Sequence, residues 1–335
     1  MHTIFTDPQE LAEKIIQGYR VNRTDDLSFF LQADLGELTK GADRLREHFC
    51  GKHVDLCTII NGRSGHCPED CAYCAQSAHH HTGIDEYESL PPAELIENAL
   101  ANEKEGVHRF SIVTAGRTLN GKAFDEMLQV YKDLRAQCSF GLCASHGFLT
   151  KEQFHELKTA GVSSYHHNIE TSRRFFPQIC TTHTYEDKID TIRLAQQEGL
   201  CVCSGGIIGM GESWEDRLDM AISLAELSIL SIPINALMAI PGTKLAHLPA
   251  LSGDDILRTI AFFRYSNPEA NIRLAAGRKL LPLNGETAFF SGASASITGN
   301  MLTTSGTTIR EDLAMLKRLG FNQEENFHIS AAPQK

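Results

Sequence analysis

The sequence predicts an α/β fold, a (β/α)8 TIM-type barrel with an N-terminal helical extension. Short runs of β-forming, mostly apolar residues alternate with helical patterns through most of the 335 residues, which is typical of parallel strands joined by crossover helices. Eight such runs can be counted, and eight repeats of strand and helix close a barrel. Single barrels commonly reach this length, so the sequence favours one large domain.

The predicted strands follow one another at regular distances along the chain. They lie near residues 54–60, 107–113, 139–145, 164–169, 200–207, 232–238, 271–275 and 293–298. The predicted helices cover residues 92–105, 123–136, 151–160, 185–198, 213–229, 253–265 and 285–291, with a last helix near 307–319. An open doubly wound sheet is the alternative, but the glycine-rich run at 205–211 does not match the dinucleotide-binding pattern G-x-G-x-x-G.

Three parts of the chain are expected. Residues 1–50 are predicted to form the N-terminal helical extension, with breaks marked by Pro8 and Gly36. Residues 51–320 are predicted to form the barrel, and residues 321–335 a C-terminal tail that frays at its end.

Composition limits the function classes. Charged residues make up 22% and hydrophobic residues 42% of the chain, as in ordinary globular proteins. The net charge of −11 argues against nucleic acid as a partner, because phosphate backbones are bound by basic stripes. No run approaches the ~20 apolar residues of a membrane span, and residues 1–8 lack the pattern of an export signal. We therefore expect a cytoplasmic protein without a membrane partner.

Three of the ten cysteines carry the strongest signal. In a reducing compartment, clustered cysteines indicate metal ligation or catalysis rather than disulfides. Cys67, Cys71 and Cys74 form a C-x3-C-x2-C triplet, which can hold three irons of a cubane cluster and leave the fourth iron open. Zinc is the alternative, since His66 or one of the histidines at 79–81 could complete a tetrahedral shell.

Strand periodicity places a second set of polar and thiol side chains inside the barrel. Residues two apart on a strand share one face, so Cys201 and Cys203 face the same side as Gly205. Packed barrels are normally filled with Val, Ile and Leu, and a polar interior therefore predicts an enclosed site. The residues of this set are Cys57, Ser111, Cys143, His166, Asn168, Glu170, Cys201, Cys203, Asn235 and Arg273. Several thiols beside one arginine suggest a second iron–sulfur site.

Five motifs resemble the biotin synthase family of radical S-adenosylmethionine (SAM) enzymes. They are CPEDCAYCAQS at 67–77, YHHNIETS at 165–172, CSGGIIGMGE at 203–212, PIN at 233–235 and RLAAGR at 273–278. The similarity covers roughly residues 50–320, and the order and spacing of the motifs make it specific. It implies that an electron from a [4Fe-4S] cluster cleaves SAM to a radical that removes hydrogens from dethiobiotin. Sulfur from an auxiliary cluster in the barrel then closes the ring of biotin.

The resemblance also implies residue roles. Cys67, Cys71 and Cys74 would ligate the SAM cluster, with Tyr73 beside SAM. Inside the barrel, Asn168 and Glu170 would bind the SAM ribose, and Glu170 stands where the family more often has Asp. Gly205 and Gly206 would lie at the methionyl end of SAM. Asn168 and Asn235 would also bind the ureido ring of the substrate.

The auxiliary cluster departs from the family pattern. The best-known members hold a [2Fe-2S] cluster with three cysteines and an arginine, and Cys143, Cys203 and Arg273 match three of these four positions. The fourth position is Ser111, a harder and poorer ligand for iron. Cys57 and Cys201 face inward and could compensate, so we expect an altered ligand set and a cluster of the standard size or larger. Arg273 is either a ligand or a charge partner of the cluster.

Two other functions compete with sulfur insertion. A hydrogenase-cluster maturase would share the C-x3-C-x2-C start but would not need Asn168 and Asn235 for a ureido ring. A zinc-stabilised binding barrel would have no turnover. The resemblance further implies reduced flavodoxin or ferredoxin as electron donor and a homodimer, and the remaining cysteines, Cys50, Cys138 and Cys180, are interpreted as structural.

Overall fold

Nine parallel strands form one sheet that closes on itself in the computed structural model, which describes residues 5–300, 302 and 306–322. The strands are β1 (Asp55–Arg63), β2 (Arg109–Thr114), β3 (Gly141–Ser145), β4 (Ser164–His166), β5 (Cys201–Cys203), β6 (Gly206–Ile208), β7 (Ser231–Ala236), β8 (Asn271–Leu274) and β9 (Ala295–Ile297). Their order is β5-β4-β3-β2-β1-β9-β8-β7-β6, and an additional pairing of β5 with β7 closes the barrel. The predicted fold class is therefore confirmed.

The fifth predicted strand is interrupted, so β5 and β6 are two halves of one barrel strand. The interruption falls at Ser204 and Gly205, whose amides bond elsewhere. Ser204 N donates to Ser231 O at 3.0 Å, and Gly205 N donates to the Asn168 side chain at 3.0 Å. Because both amides are satisfied outside the ladder, the strand can bend there without leaving buried backbone groups unpaired.

Helices surround this barrel and also precede it. They are α1 (Pro8–Ile16), α2 (Phe29–Gln32), α3 (Leu35–Cys50), α4 (Pro92–Lys104), α5 (Gly121–Gln137), α6 (Lys151–Thr159), α7 (Phe176–Ile179), α8 (Tyr185–Gln197), α9 (Trp214–Glu226), α10 (Gly253–Ser266) and α11 (Ile309–Arg318). Capping boxes begin four of them, because a Ser or Thr side chain and an acid or amide three residues later satisfy each other's backbone amides. These pairs open α6, α8, α9 and α11.

One predicted helix has a different form. Residues 285–291 belong to a 3-10 segment, Pro282–Phe290, which follows a shorter one at Arg278–Leu280. Leu283, Asn284 and Gly285 have φ values of 50°, 52° and 86°. Three successive left-handed residues cannot continue an α-helix of L-residues, so the helical pattern there does not produce one.

The N-terminal helices pack against α10. Tyr265 Oη donates to Pro8 O at 3.1 Å and to Leu38 O at 3.3 Å. A Cβ at Gly41 would lie 1.8 Å from Tyr265 Oη, so only glycine permits this contact. Pro8 starts α1 as expected, but Gly36 lies inside the first turn of α3 and the chain breaks just before it.

The far end of the described chain returns to the barrel. Asn322 O accepts from Val54 N at 3.3 Å, and Asn322 N donates to Lys52 O at 3.0 Å. Phe321 is buried beside them, so the first two residues of the expected tail pack on the fold, whereas residues 323–335 lie outside the described residues. Within the part that the structure covers, every helix is too short or too polar to cross a membrane.

Candidate active site

The interior of the barrel contains a cavity of about 800 Å³. Its wall carries polar and thiol side chains where barrels usually carry aliphatic ones. The residues predicted to face inward all line it: Cys57, Ser111, Cys143, His166, Asn168, Glu170, Cys201, Cys203, Asn235 and Arg273. Tyr73 and Cys74 also line the cavity, from the loop after β1. The predicted inward orientation of this set, including Cys143 and Cys203, is therefore confirmed.

The cysteine triplet lies on a folded loop at the carboxyl ends of the strands. Cys67 N donates to Gln76 O at 3.1 Å and Ala78 N donates to Cys67 O at 2.8 Å, which closes the loop on itself. In the described part of the chain, the sulfurs of Cys67, Cys71 and Cys74 do not all lie within 4.8 Å of one another. This spacing is wider than one zinc ion would need and leaves room for a cluster.

The neighbouring histidines are engaged elsewhere. His66 is exposed beside Glu86, with 3.3 Å between Nε2 and Oε2. His79 Nε2 lies 3.1 Å from Pro68 O, and His80 Nδ1 lies 2.8 Å from Cys74 O. None of the histidines at 79–81 forms a ligand set with the triplet among the described residues, which weakens the zinc alternative.

Two carboxylates inside the triplet loop bind the segment that follows α7. Asp70 accepts from Thr181 N at 2.8 Å and from Thr181 Oγ1 at 2.6 Å. Glu69 accepts from Thr182 Oγ1 at 2.6 Å. Burial would raise the pKa of Asp70, but these hydrogen bonds outweigh burial and hold it well below its usual range. The loop is therefore anchored by charge-assisted hydrogen bonds as well as by its own backbone.

The anchoring brings Cys71 against Cys180. Their Sγ atoms are 3.8 Å apart, and Cys180 Sγ lies 3.3 Å from His183 Nδ1. The hydrogen bond shared with Cys71 lowers the pKa of Cys180, with His183 and Thr182 assisting. Cys180, interpreted from the sequence as structural, thus contacts a predicted cluster ligand. Cys50 and Cys138 lie away from the cavity, as expected.

Asn168 and Glu170 form a strained turn at the end of β4. Glu170 has a φ of 67°, which is rare for a residue with a side chain. Its backbone pairs with Gly206, since Ile207 N donates to Glu170 O at 2.8 Å. Asn168 Nδ2 donates to Glu170 Oε2 at 3.3 Å. Strained backbone of this kind persists where neighbours fix it and is common at binding sites.

Gly205 and Gly206 are required by contacts within the protein. A Cβ at Gly205 would lie 2.0 Å from Pro233 O, and a Cβ at Gly206 would lie 2.3 Å from Glu170 O. The strands next to them approach too closely for any side chain. Close backbone contacts within the protein are therefore enough to require glycine at both positions.

Asn235 connects two of these elements. Its Nδ2 donates to Gly206 O at 3.1 Å and its Oδ1 accepts from Ala276 N at 3.2 Å. An amide side chain has two donors and two acceptor lone pairs. One donor and one lone pair of Asn235 therefore remain for a ligand in the cavity.

Three of the inward thiols act on one another deeper in the barrel. Burial, together with the charge of Cys203, raises the pKa of Cys143, and burial raises the pKa of Cys57 to about 12. Cys203 behaves differently, because hydrogen bonds from His166 and Ser231 outweigh burial and lower its pKa to about 7. Of the three, Cys203 is thus the thiol most readily ionised.

Cys201 lies at the amino-terminal end of β5, two residues before Cys203. It is half-buried, and burial raises its pKa while the charge of Arg109 opposes the rise. Cys57 and Cys143, by contrast, are buried. Ser111 shares a hydrogen bond with Cys143. Its hydroxyl therefore lies beside the cysteines of this group.

A buried carboxylate organises the two arginines of the cavity. Asp55 Oδ2 accepts from Arg273 Nη2 at 2.7 Å and from Arg109 Nε at 2.9 Å. Burial would raise the pKa of Asp55, but the charges of Arg273 and Arg109 outweigh it and lower the pKa to about 2. Arg273 Nη1 also donates to Ser296 O at 3.1 Å, and its guanidinium pKa is raised despite burial, by the Asp55 charge.

Sequence reasoning missed Asp55, Arg109, His166 and Ser231 as parts of the site. Strand alternation could have revealed two of them, because Asp55 and Arg109 lie two residues before Cys57 and Ser111 and therefore share their face. His166 was placed inward but given no role. Its contact with Cys203 follows from the register of β4 and β5, where the two residues are opposite each other.

Sequence comparison identifies relatives along almost the whole chain. The Radical SAM superfamily profile matches residues 63–224, and the Biotin and Thiamin Synthesis associated domain matches residues 233–322. The chain is 57% identical to the biotin synthase of Alkaliphilus metalliredigens over 94% of this chain and 99% of the relative. It is 58% identical to the biotin synthase of Clostridium beijerinckii over the same shares.

Solved structures of lower identity share the fold. Methylornithine synthase (PylB) superposes with a TM-score of 0.81 at 18% identity, covering 94% of this chain and 98% of the other. HydG, a maturase of the [FeFe]-hydrogenase, has a TM-score of 0.79 at 19% identity, covering 94% of this chain and 75% of the other. At these identities the likeness concerns the barrel architecture alone.

Proposed function

The chain belongs to the biotin synthase family, and on that premise we propose that its barrel holds two separate iron–sulfur centres at the two levels of one cavity. The activity is that of a radical SAM sulfurtransferase that converts dethiobiotin to biotin with SAM and iron–sulfur clusters as cofactors. The observation that carries the proposal is that Cys74 of the triplet and the deep thiols Cys143 and Cys203 line the same cavity.

The outer centre is assigned to Cys67, Cys71 and Cys74. The fit is supported by three thiols spaced too widely for one ion and by the exposure of Cys74 toward the cavity. When bound, the outer cluster supplies the electron that cleaves SAM and the inner cluster supplies the sulfur atom. Tyr73 shares a hydrogen bond with Glu170, so the loop and the SAM-binding turn are held together.

The polar residues between the two centres position the reactants. We assign Asn168 and Glu170 to the ribose hydroxyls of SAM, because both face the cavity at the end of β4 next to Tyr73. Gly205 and Gly206 let the backbone of β6 lie against that turn, beside the methionyl end. Asn168 and Asn235 keep free hydrogen-bonding capacity for the ureido ring of the substrate. Holding the reacting carbon at a fixed distance is the main contribution of such residues to the rate.

The inner centre is assigned to Cys57, Cys143 and Cys203, with Arg273 beside them. Cys57 takes the place of the thiol that is missing at Ser111. Ser111 is paired with Ile59 on β1, and Cys57 lies two residues earlier on that strand and on the same face. Cys201 was an equal candidate in the sequence, but the charges of Cys57 and Cys203 act on Cys143, so we assign these three thiols as ligands and not Cys201.

Arg273 acts as a charge partner. Its guanidinium already donates to Asp55 and to two backbone carbonyls, and its pKa is raised. A guanidinium held in this way stays protonated and offers no lone pair. Its positive charge, with that of Arg109, offsets the negative charge that thiolates bring into a buried site. The cluster is of the [2Fe-2S] size or larger.

The two competing functions are not supported. The maturase resembles the chain at 19% identity and therefore in fold, whereas the biotin synthase of Alkaliphilus metalliredigens matches 94% of the chain at 57% identity. The zinc-stabilised binding barrel is contradicted by membership of an enzyme family. Anaerobic purification gives an independent check, since the proposal expects a brown protein whose spectrum changes with dithionite and SAM. A colourless protein with one zinc ion would contradict it.

The test of function is anaerobic incubation of the reconstituted protein with dethiobiotin, SAM and a low-potential reductant, followed by mass analysis. We expect biotin together with 5′-deoxyadenosine and methionine. Formation of deoxyadenosine without biotin would limit the proposal to the outer centre. The absence of both products would overturn the proposal.

The remaining assignments concern partners and organisation. We propose reduced flavodoxin or ferredoxin as electron donor, a homodimer, and a cytoplasmic location. Exposed Arg117 and Lys244 lie near Glu69 and Asp70 of the triplet loop, which offers an acidic donor a basic contact close to the outer centre. The division into residues 1–50, 51–320 and 321–335 is likewise a proposal, supported by the packing of α1 and α3 outside the barrel.

A further inference from the structure

One set of possible metal ligands extends beyond the two proposed clusters, because it joins Cys71 of the outer centre to two residues that neither cluster uses. Cys71 Sγ, Cys180 Sγ and His183 Nδ1 all lie within 4.8 Å of one another, the one such trio in the described part of the chain. Cys180 and His183 come from the segment after α7, more than a hundred residues from Cys71 in sequence. The trio therefore exists because of the fold and not because of a local motif.

The distances within the trio match the edges of a metal tetrahedron. Zinc binds thiolate sulfur at about 2.3 Å and imidazole nitrogen at about 2.0–2.1 Å. A tetrahedral angle then separates two sulfurs by about 3.8 Å and a sulfur from a nitrogen by about 3.5 Å. The two sulfurs are 3.8 Å apart, and Cys180 Sγ lies 3.3 Å from His183 Nδ1. The third pair, Cys71 Sγ and His183 Nδ1, lies within 4.8 Å, so two of the three edges match a tetrahedron as they stand.

The trio is held in place by its surroundings. His183 packs between the rings of Phe148 and Phe176, at centroid distances of 5.0 and 5.6 Å. Asp70 fixes the backbone on the other side by accepting from Thr181 N. A site whose ligands are positioned before binding does not need to order them when the ion arrives.

The fourth position has a carboxylate beside it. Glu69 Oε2 lies 2.5 Å from His183 Nδ1, a hydrogen bond that an ion on Nδ1 would replace. Glu69 would need to retreat by about 1 Å to reach a tetrahedral N–O edge, or a water molecule would take the position. Two thiolates, an imidazole and a carboxylate suit zinc and ferrous iron better than magnesium or calcium.

We propose that Cys71, Cys180 and His183 bind one divalent transition-metal ion, Zn²⁺ or Fe²⁺, in the cluster-free chain. Cys71 and Cys180 bind the ion as thiolates and release their protons, and His183 binds it through Nδ1 as a neutral imidazole with its proton on Nε2. Because Cys71 is also assigned to the outer cluster, the ion and the cluster exclude each other. Zinc bound here would block cluster assembly, whereas iron would be held on Cys71, one of the cluster thiols.

The test is a Co²⁺ titration of the full-length, chelator-treated, reduced protein under anaerobic conditions. Thiolate-to-cobalt charge-transfer absorption reports the ligands, and competition with a chromophoric chelator gives the Zn²⁺ and Fe²⁺ affinities separately. We expect one equivalent of metal ion to bind per chain. Cys180→Ser and His183→Gln should each lower the affinity at least about tenfold.

The matched controls are Cys67→Ala and Cys74→Ala, which remove cluster ligands but leave the trio intact. We expect both to keep the affinity of the unmodified chain. If these two lose it while Cys180→Ser keeps it, the ion is bound by the triplet alone and the proposal is overturned. Absence of charge-transfer absorption in the unmodified chain would overturn it as well, and circular dichroism identifies any variant that has not folded.

A second readout separates this inference from the proposed function. Cys180→Ser should still take up the outer cluster and cleave SAM, because Cys180 is not one of its ligands. Preloading with Zn²⁺ should slow cluster uptake in the unmodified chain and leave Cys180→Ser unaffected. Equal slowing in both would contradict the shared ligand, whatever the outcome for biotin.

Discussion

The two thiol groups of this protein are built in opposite ways. The outer triplet occupies eight consecutive residues of one loop, closed by its own backbone bonds and anchored through Asp70. The inner group collects single cysteines from β1, β3 and β5, which only the closed barrel brings together. The outer group therefore depends on local sequence, and the inner group depends on strand register. If Cys57 replaces Ser111 as proposed, the comparison teaches that an inner ligand can move to a neighbouring strand, whereas the outer ligands are fixed by the spacing within one loop.

The largest expected effect separates the roles of the two groups. Cys71→Ala should abolish SAM cleavage, because the outer cluster loses one of three ligands. Cys203→Ala should keep part of the 5′-deoxyadenosine formation and abolish biotin formation. Both products are measured by mass spectrometry in the same anaerobic reaction. Equal loss of both products in the two variants would mean that the centres do not have separate roles.

The next effect concerns which thiol replaces Ser111. Cys57→Ala should lower the iron and sulfide bound by the inner centre and change its Mössbauer spectrum, because the charges of Cys57 and Cys203 both act on Cys143. Cys201→Ala is the matched control and should leave both counts unchanged. If both variants keep the inner signal, no compensation by these cysteines takes place.

A stability effect tests the charges behind the inner group. Asp55→Asn should reduce the free energy of unfolding by roughly 3–5 kcal/mol, because it leaves Arg109 and Arg273 buried without a counter-charge. Glu126→Gln, which breaks an exposed pair with Lys122, should cost no more than about 1 kcal/mol. Denaturant unfolding of the cluster-free protein measures both, and equal losses would contradict the assignment.

The same carboxylate sets a pH dependence. Its pKa is about 2 in the folded chain and about 3.8 in ordinary surroundings. A lowered pKa in the folded state means that stability is gained above the ordinary value and lost as the pH falls toward 2. The Asp55→Asn variant should lose less stability than the unmodified chain between about pH 4 and 2. Parallel curves for the two proteins would show that Asp55 does not titrate there.

The smallest effect concerns the backbone contact beside the SAM-binding turn. Gly205→Ala should destabilise the fold by roughly 1–3 kcal/mol, because its Cβ would lie 2.0 Å from Pro233 O. Gly141→Ala is the control on another barrel strand, where the nearest atom would be 3.5 Å away. Thermal unfolding compares the two, and similar melting temperatures would show that β6 can move away from β7.

Much of this structure follows from patterns with a short period. Alternation along each strand places Cys57, Cys143 and Cys203 in the cavity without knowledge of the fold, because side chains two apart share a face. The spacing of the triplet likewise indicates its chemistry. The 3-10 segment at 282–290 was missed because left-handed backbone at Leu283 and Asn284 leaves no periodic signal.

The remaining contacts join residues that are distant in sequence. The approach of Cys180 to Cys71 depends on how the loop after α7 meets the triplet loop, and neither segment has a periodic pattern that reveals it. The pairing of Asp55 with Arg273 spans the barrel closure between β1, β9 and β8. Such contacts are set by topology and packing, so they become visible only when the whole barrel is formed.

The most direct test of two separate centres is to trace the sulfur atom. The protein is reconstituted with sulfide that carries a heavy sulfur isotope, freed of excess sulfide, and allowed one turnover with unlabelled SAM and dethiobiotin. We predict that biotin carries the heavy isotope in the unmodified chain and in Cys201→Ala. Unlabelled biotin from a fully labelled protein would contradict the central claim that the inner centre donates the sulfur.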